Sequence, residues 1–225
     1  MEAAEKKAIF NFLKDLRDNN HKDWMDANRS RYDDAKTYWL KQVGQFLAVL
    51  SKHDPQLFSI YKPKNCISRI TNNRMYKPDL PLYKDYFTFS IMNTSDAFSP
   101  IYVSVGADRS FVGCGYHNPD KQTLKNIRDA IDYDGQELKS ILDDKIFQNF
   151  FGGLSDFSSP LKTSPKGYPK DHPFIEFLRY KSFTVSKTLT EAAIISDDFI
   201  EIIEQAYLIS KPFRTFLKKA NDFSS

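Results

Sequence analysis

The apolar residues of this chain change their spacing twice, and that change limits the fold more than any other feature of the sequence. Ile9, Phe10, Leu13 and Leu16 recur at three- and four-residue steps, which predicts a helix over 4–18 with one buried face. Asn19 and Asn20 end it. Asn20 is the predicted cap of a second helix, with Asp23 in its first turn and Trp24 and Met25 as its first apolar pair. Tyr32, Ala35, Trp39, Val43, Phe46 and Leu50 form a longer stripe that stops before Asp54 and Pro55, and its aromatics read as core. The period then falls to two. Residues 66–71, 86–92, 101–105 and 110–116 alternate with β-branched and aromatic side chains, and 106–109 reads as a hairpin connection, so the sheet is expected to be antiparallel. Helical spacing returns with Leu124, Ile127 and Ile131, after Asn118 as the expected cap and Pro119 in the first turn. Short helices follow Asp134, and Pro160, Pro165, Pro169 and Pro173 then exclude a regular helix. The chain closes with helices, Ser196 capping the first and Phe199, Ile203, Ala206, Ile209, Phe213, Phe216 and Leu217 supplying the apolar face.

The expected fold class is therefore α+β, with an antiparallel sheet over residues 66–116. Helices over 4–52 and 119–151 should pack on the sheet, and the C-terminal helix should close the core. One domain over 1–225 is expected, helical over 4–52, sheet-forming over 57–116, and helical with loops over 117–225. No repeat or linker interrupts it. With 41% hydrophobic, 15% aromatic and 27% charged residues, disorder and low complexity are excluded. No apolar run approaches the roughly 18 residues of a membrane span, and the first seven residues carry acids with no apolar signal region behind them. The sequence reads as soluble and unsecreted, with no membrane partner.

Cys66 and Cys114 stand alone, with no Cys-x-x-Cys and no neighbouring histidine cluster, which excludes a disulfide scaffold or a zinc finger and fits a reducing cytoplasm. Both are expected as free thiols. His21, His53, His117 and His172 show no metal-ligand spacing, so no metal is expected. Only a site gathered from His117, His172 and a carboxylate such as Asp171 would change that. No cofactor is indicated.

The net charge of +3 is small but uneven. Residues 62–84 hold six bases (Lys62, Lys64, Arg69, Arg74, Lys77, Lys84) against Asp79, a local +5. Residues 161–187 add six bases against Asp171 and Glu176, while 129–156 holds seven acids against two lysines. The two basic segments either join in an anion-attracting surface or remain two solvated faces.

Three groups of residues invite a chemical reading. Gly113 and Gly115 precede a helix start, where phosphate can bind, but the hairpin setting, the absent third glycine and Asp120 in the first turn favour close backbone packing. Asp171 beside His172 suggests acid/base work, and Lys166 with Tyr168 suggests anion binding. The plainer reading makes Asp171 a cap for a helix near Pro173.

With these residues in view, the chain resembles the bacterial and fungal family known as domain of unknown function 2461. Asn19, Asn20, Trp24, Ala27, Asn28 and Tyr32 are similar to its opening block; Gly113, Cys114, Gly115, Pro119, Leu124, Ile127 and Arg128 to its second; and Leu161, Lys162, residues 165–169, Asp171, His172, Pro173 and Lys181 to its third. In the basic middle block Arg69, Ile70, Asp79, Tyr83 and Lys84 fit. Asn72 and Asn73 stand where the family carries Arg and Asp, Met75 replaces an Arg, Leu80 and Leu82 replace Lys and Pro, and Arg74 lies one position away. The resemblance implies an uncharacterised domain and no reaction.

Together these blocks give the expectation that Arg69, Tyr83, Lys84, Arg128, Lys166 and Tyr168 converge with Asp171 and His172 on one cleft for a small anionic or phosphorylated ligand, the last two as a catalytic pair. The alternative is a non-enzymatic module for nucleic acid or protein that binds through the +5 segment, with Tyr61, Tyr76 and Tyr83 interleaved as stacking platforms.

Overall fold

The computed structural model of the protein describes residues 2–91, 98–155 and 160–222. The described residues form ten α-helices and four strands: α1 (Ala3–Asp18), α2 (Lys22–Ala27), α3 (Arg29–Leu50), α4 (Pro55–Phe58), β1 (Tyr86–Ser90), β2 (Phe98–Gly106), β3 (Ser110–Tyr116), α5 (Lys121–Asp143), α6 (Lys145–Phe151), α7 (Ile175–Leu178), β4 (Phe183–Leu189), α8 (Glu191–Ile195), α9 (Phe199–Ile209) and α10 (Lys211–Asp222). The strands make one antiparallel sheet in the order β1-β2-β3-β4, so the fold class is α+β. The chain forms two compact units, the first from Met1–Ser90, Tyr102–Val112 and Thr188–Gln205, the second from Ile91–Ile101, Gly113–Lys187 and Ala206–Ser225.

In the first unit α1 starts with reciprocal capping, Glu2 N–H donating to the Glu5 carboxylate at 2.9 Å, and buries Ile9, Phe10, Phe12, Leu13 and Leu16. The stripe of α3 is buried as its spacing predicts, from Tyr32 through Trp39 and Phe46 to Leu50. Trp39 stacks on Phe87 with ring centres 6.2 Å apart and donates its indole N–H to the Thr88 carbonyl at 3.0 Å, which satisfies the polar atom of an otherwise apolar anchor. Phe46 packs against Phe89 and Phe199. β1 and β2 pair antiparallel from Tyr86↔Gly106 to Ser90↔Tyr102.

Three expectations need correction. The cap of α2 is His21, whose ring accepts the Trp24 N–H, because Asn20 has a distant partner instead. The cap of α5 is Asp120, accepting the Thr123 N–H at 2.8 Å; Asn118 sits at φ 49°, outside the helix. Residues 66–71 are not a strand: the Ser68 amide meets the Thr88 hydroxyl rather than a carbonyl, and among the described residues only Thr71 forms a bridge, to Tyr83. In their place the sheet takes β4, which sequence reading did not expect. The expected end of β1 at Met92 lies outside the described residues.

In the second unit Gly113 and Gly115 run against β4. A Cβ on Gly113 would lie 2.4 Å from the Val185 carbonyl oxygen, and one on Gly115 2.1 Å from that of Phe183. Close packing, as weighed above, is thus what these glycines serve. α5 breaks at Asp134 (φ −145°, ψ 64°), whose carboxylate caps the continuing helix at the Glu137 N–H.

Candidate functional site

The residues singled out by sequence fall into two groups, one per unit. In the first unit, residues 69–84 form an irregular hairpin arm. The Lys84 N–H donates to the Ile70 carbonyl at 2.7 Å, the Asn72 N–H to Leu82 at 3.1 Å, and Asn72 Nδ2 to Pro81 at 2.9 Å. Asn20 holds the base of the arm by binding both backbone polar groups of Tyr83. Tyr83 is buried, so it cannot serve as a stacking platform. Lys84 Nζ donates to the Arg69 carbonyl at 2.8 Å. Burial, and then the Arg69 guanidinium, hold the Lys84 ammonium below the ordinary lysine range.

In the second unit, Arg128, Tyr168 and His172 meet the acids of α5. Arg128 donates to the carbonyls of Leu178 (2.9 Å) and Tyr180 (3.1 Å), which ties α5 to the end of α7. Tyr168 donates its hydroxyl to Asp129 Oδ1 at 2.9 Å; burial first and this bond second push the phenol above the ordinary tyrosine range, so it keeps its proton. His172 Nδ1 accepts the Phe174 N–H at 3.1 Å, while Nε2 lies 2.9 Å from Asp132 Oδ1. The carboxylate that meets His172 is thus Asp132 and not its neighbour Asp171, which is exposed. Lys166 is exposed, and its ammonium has no partner among the described residues.

Sequence reasoning missed four residues here. Asp129 and Asp132 sit three apart on α5, inside the acidic stretch and facing the basic one; that charge complementarity was the available signal. Ser164 and Arg179 were passed over because their distinguishing property is a missing partner: Ser164 Oγ and Arg179 Nε are buried without a hydrogen bond among the described residues. The two segments are joined by the Leu161 N–H, which donates to the Arg179 carbonyl at 2.8 Å. A groove of about 460 Å³ lies between α5 and α10, lined by Asn126, Asp129, Tyr133, Glu137, Phe216 and Lys219, and of the candidate site residues only Asp129 lines it. Among the described residues no three His, Cys, Asp or Glu side chains gather as a metal site.

The chain belongs to the DUF2461 family of conserved hypothetical proteins, whose model matches residues 8–216. No curated protein and no solved structure matches it.

Proposed function

We propose that the protein binds a small oxyanion, a phosphate or carboxylate group, at the proline-rich segment of the second unit through Ser164, Lys166 and Arg179. The supporting observation is that Arg179 Nε is buried with no acceptor among the described residues. A buried donor left unpaired costs about 1–3 kcal/mol, more when charged, and an anion seated on the guanidinium fork recovers it. Ser164 Oγ is a second donor unpaired among the described residues, and Lys166 supplies a further positive charge. Arg128, Tyr168 and His172 act as braces, since their polar atoms are engaged with Leu178, Tyr180, Asp129, Asp132 and Phe174. Binding is favoured over catalysis because both ring nitrogens of His172 already have partners, which leaves no free lone pair for a base.

Titration calorimetry with inorganic phosphate, pyrophosphate and citrate tests this. At least one should bind, and Arg179→Met should abolish its binding while leaving unliganded stability unchanged or raised, because an unpaired buried donor has been removed. Binding that survives Arg179→Met, or no binding by any of the three, would remove the reading.

A further inference from the structure

Of the large apolar side chains exposed among the described residues, Ile60, Met75, Tyr76 and Leu80 fall within one stretch of the first unit, and it overlaps the +5 segment. Exposed apolar groups and bases in one place are seldom needed for folding. The arm over 69–84 carries Met75 and Tyr76 at its tip, each 81% exposed, with Leu80 beside them at 37%. The tip is braced. Arg74 donates Nε and Nη2 to the Pro78 carbonyl at 3.1 and 2.8 Å, the Leu80 N–H donates to Lys77 at 3.2 Å, and the Met75 N–H to Asn73 Oδ1 at 3.2 Å. Met75 and Tyr76 are therefore presented on folded backbone, and their exposure is a property of the arm.

We infer that this arm docks the protein onto an anionic lipid surface, Met75, Tyr76 and Leu80 entering the headgroup boundary while Arg69, Arg74 and Lys77 face the lipid phosphates and carboxylates. The charges are complementary, since Asp79 is the only acid within 69–84 against Arg69, Arg74, Lys77 and Lys84. Apolar insertion and basic attraction are the two terms of interfacial binding, and each base near such a surface is worth about fivefold in affinity. No helix among the described residues is long and apolar enough to cross a membrane, and surface attachment requires none. A single-stranded nucleic acid would use the same charge, but it needs aromatic faces. Tyr83 is buried and Tyr61 half-buried, so Tyr76 is the one well-exposed ring between 61 and 84, and the rest of the exposed apolar surface there has no stacking face.

The test is co-sedimentation of the full chain with phosphatidylcholine vesicles, with and without about 30% phosphatidylserine, beside titration of a fluorescent single-stranded oligonucleotide. Binding should require phosphatidylserine and weaken with salt. The double variant Met75→Ser/Tyr76→Ser should lower partitioning at least about tenfold at an unchanged melting temperature, and Lys77→Gln about fivefold. Absent vesicle binding, or vesicle binding indifferent to Met75→Ser/Tyr76→Ser, would overturn the inference. So would oligonucleotide binding that Tyr76→Ser abolishes in a protein that ignores vesicles, and that result would identify the arm as a nucleic-acid contact.

Discussion

Asn20 and Tyr83 are joined through both polar groups of the Tyr83 backbone: Asn20 Oδ1 accepts its N–H at 2.8 Å, and Nδ2 donates to its carbonyl at 2.9 Å. The contact fixes the 69–84 arm to the turn between α1 and α2. A carboxamide is required, because one atom must accept and the other donate. Asn20→Ala should cost about 1–3 kcal/mol in urea unfolding, since two half-buried backbone groups lose their partner. Asn20→Asp keeps the acceptor but sets a carboxylate oxygen against the Tyr83 carbonyl, so it should also destabilise. Wild-type stability in both variants would show that the clasp contributes nothing.

Gly115 is held at φ 115° with its α-carbon against the Phe183 carbonyl, where a methyl group would sit 2.1 Å from oxygen. Gly152 also has positive φ, 75°, but no described residue within 4 Å of where its Cβ would sit. The pair separates backbone strain from collision. Gly152→Ala should cost about 1 kcal/mol, the conformational term alone. Gly115→Ala adds displacement of β4 and should cost about 3 kcal/mol or more, or prevent folding. Similar losses in the two variants would mean that β4 yields freely.

The stripe from Tyr32 to Leu50 was legible because burial on a helix is written in local spacing, and α1, α3 and the strands around 86–116 follow from such patterns. The caps were misplaced by one or two residues for a non-local reason. Asn20 is a better cap than His21, yet its side chain is taken by Tyr83, 63 positions away. β4 alternates only through Phe183, Val185 and Leu189 among polar neighbours, too brief a pattern to stand out before Gly113 and Gly115 are seen against it. At the candidate site, Arg128, Tyr168 and His172 were found by residue type and resemblance. Their partners Asp129 and Asp132 lie 39 and 40 positions from Tyr168 and His172, and only folding brings them together. That Arg179 Nε lacks an acceptor among the described residues has no sequence signature at all.

Both cysteines are buried free thiols, and burial pushes each up to about 11. For Cys114 burial outweighs Arg214 and the Ser210 hydroxyl, which act in the opposite direction. The thiolate is the reactive form, so native protein at neutral pH should alkylate far more slowly than a free thiol in solution. Iodoacetamide followed by mass spectrometry should label both sites after unfolding in denaturant and neither during a short native exposure. Rapid native labelling at Cys114 would contradict its place in the core.

His172 accepts a backbone N–H at Nδ1, so the neutral ring must carry its proton on Nε2, where it donates to Asp132. Long-range proton–nitrogen correlation spectra should show this tautomer. Asp132→Asn should disturb the Nε2 resonance, while Asp171→Asn should leave it unmoved. A change confined to Asp171→Asn would restore the sequence neighbour as the orienting carboxylate and weaken the bracing role given to His172.

Lys6 is the most buried cation of α1, at 4% exposure, and donates to the carbonyls of Ile195 (3.2 Å) and Ser196 (2.5 Å) at the end of α8. Those carbonyls have lost their helical partners, and the ammonium serves as their cap. Burial lowers its pKa below 10.5, and Asp197 and Asp198 only partly oppose this. In the window between the lowered folded value and the unfolded 10.5, the unfolded chain holds more protons, so stability due to this group rises with pH. Below the folded value the penalty is fully present. Lys6→Met removes the titration and also strands the two carbonyls, so the variant should be less stable near neutrality. Its stability relative to wild type should then fall further as pH climbs toward 10.5, because only the wild type gains there. Parallel pH profiles from chemical denaturation would show that Lys6 titrates alike folded and unfolded.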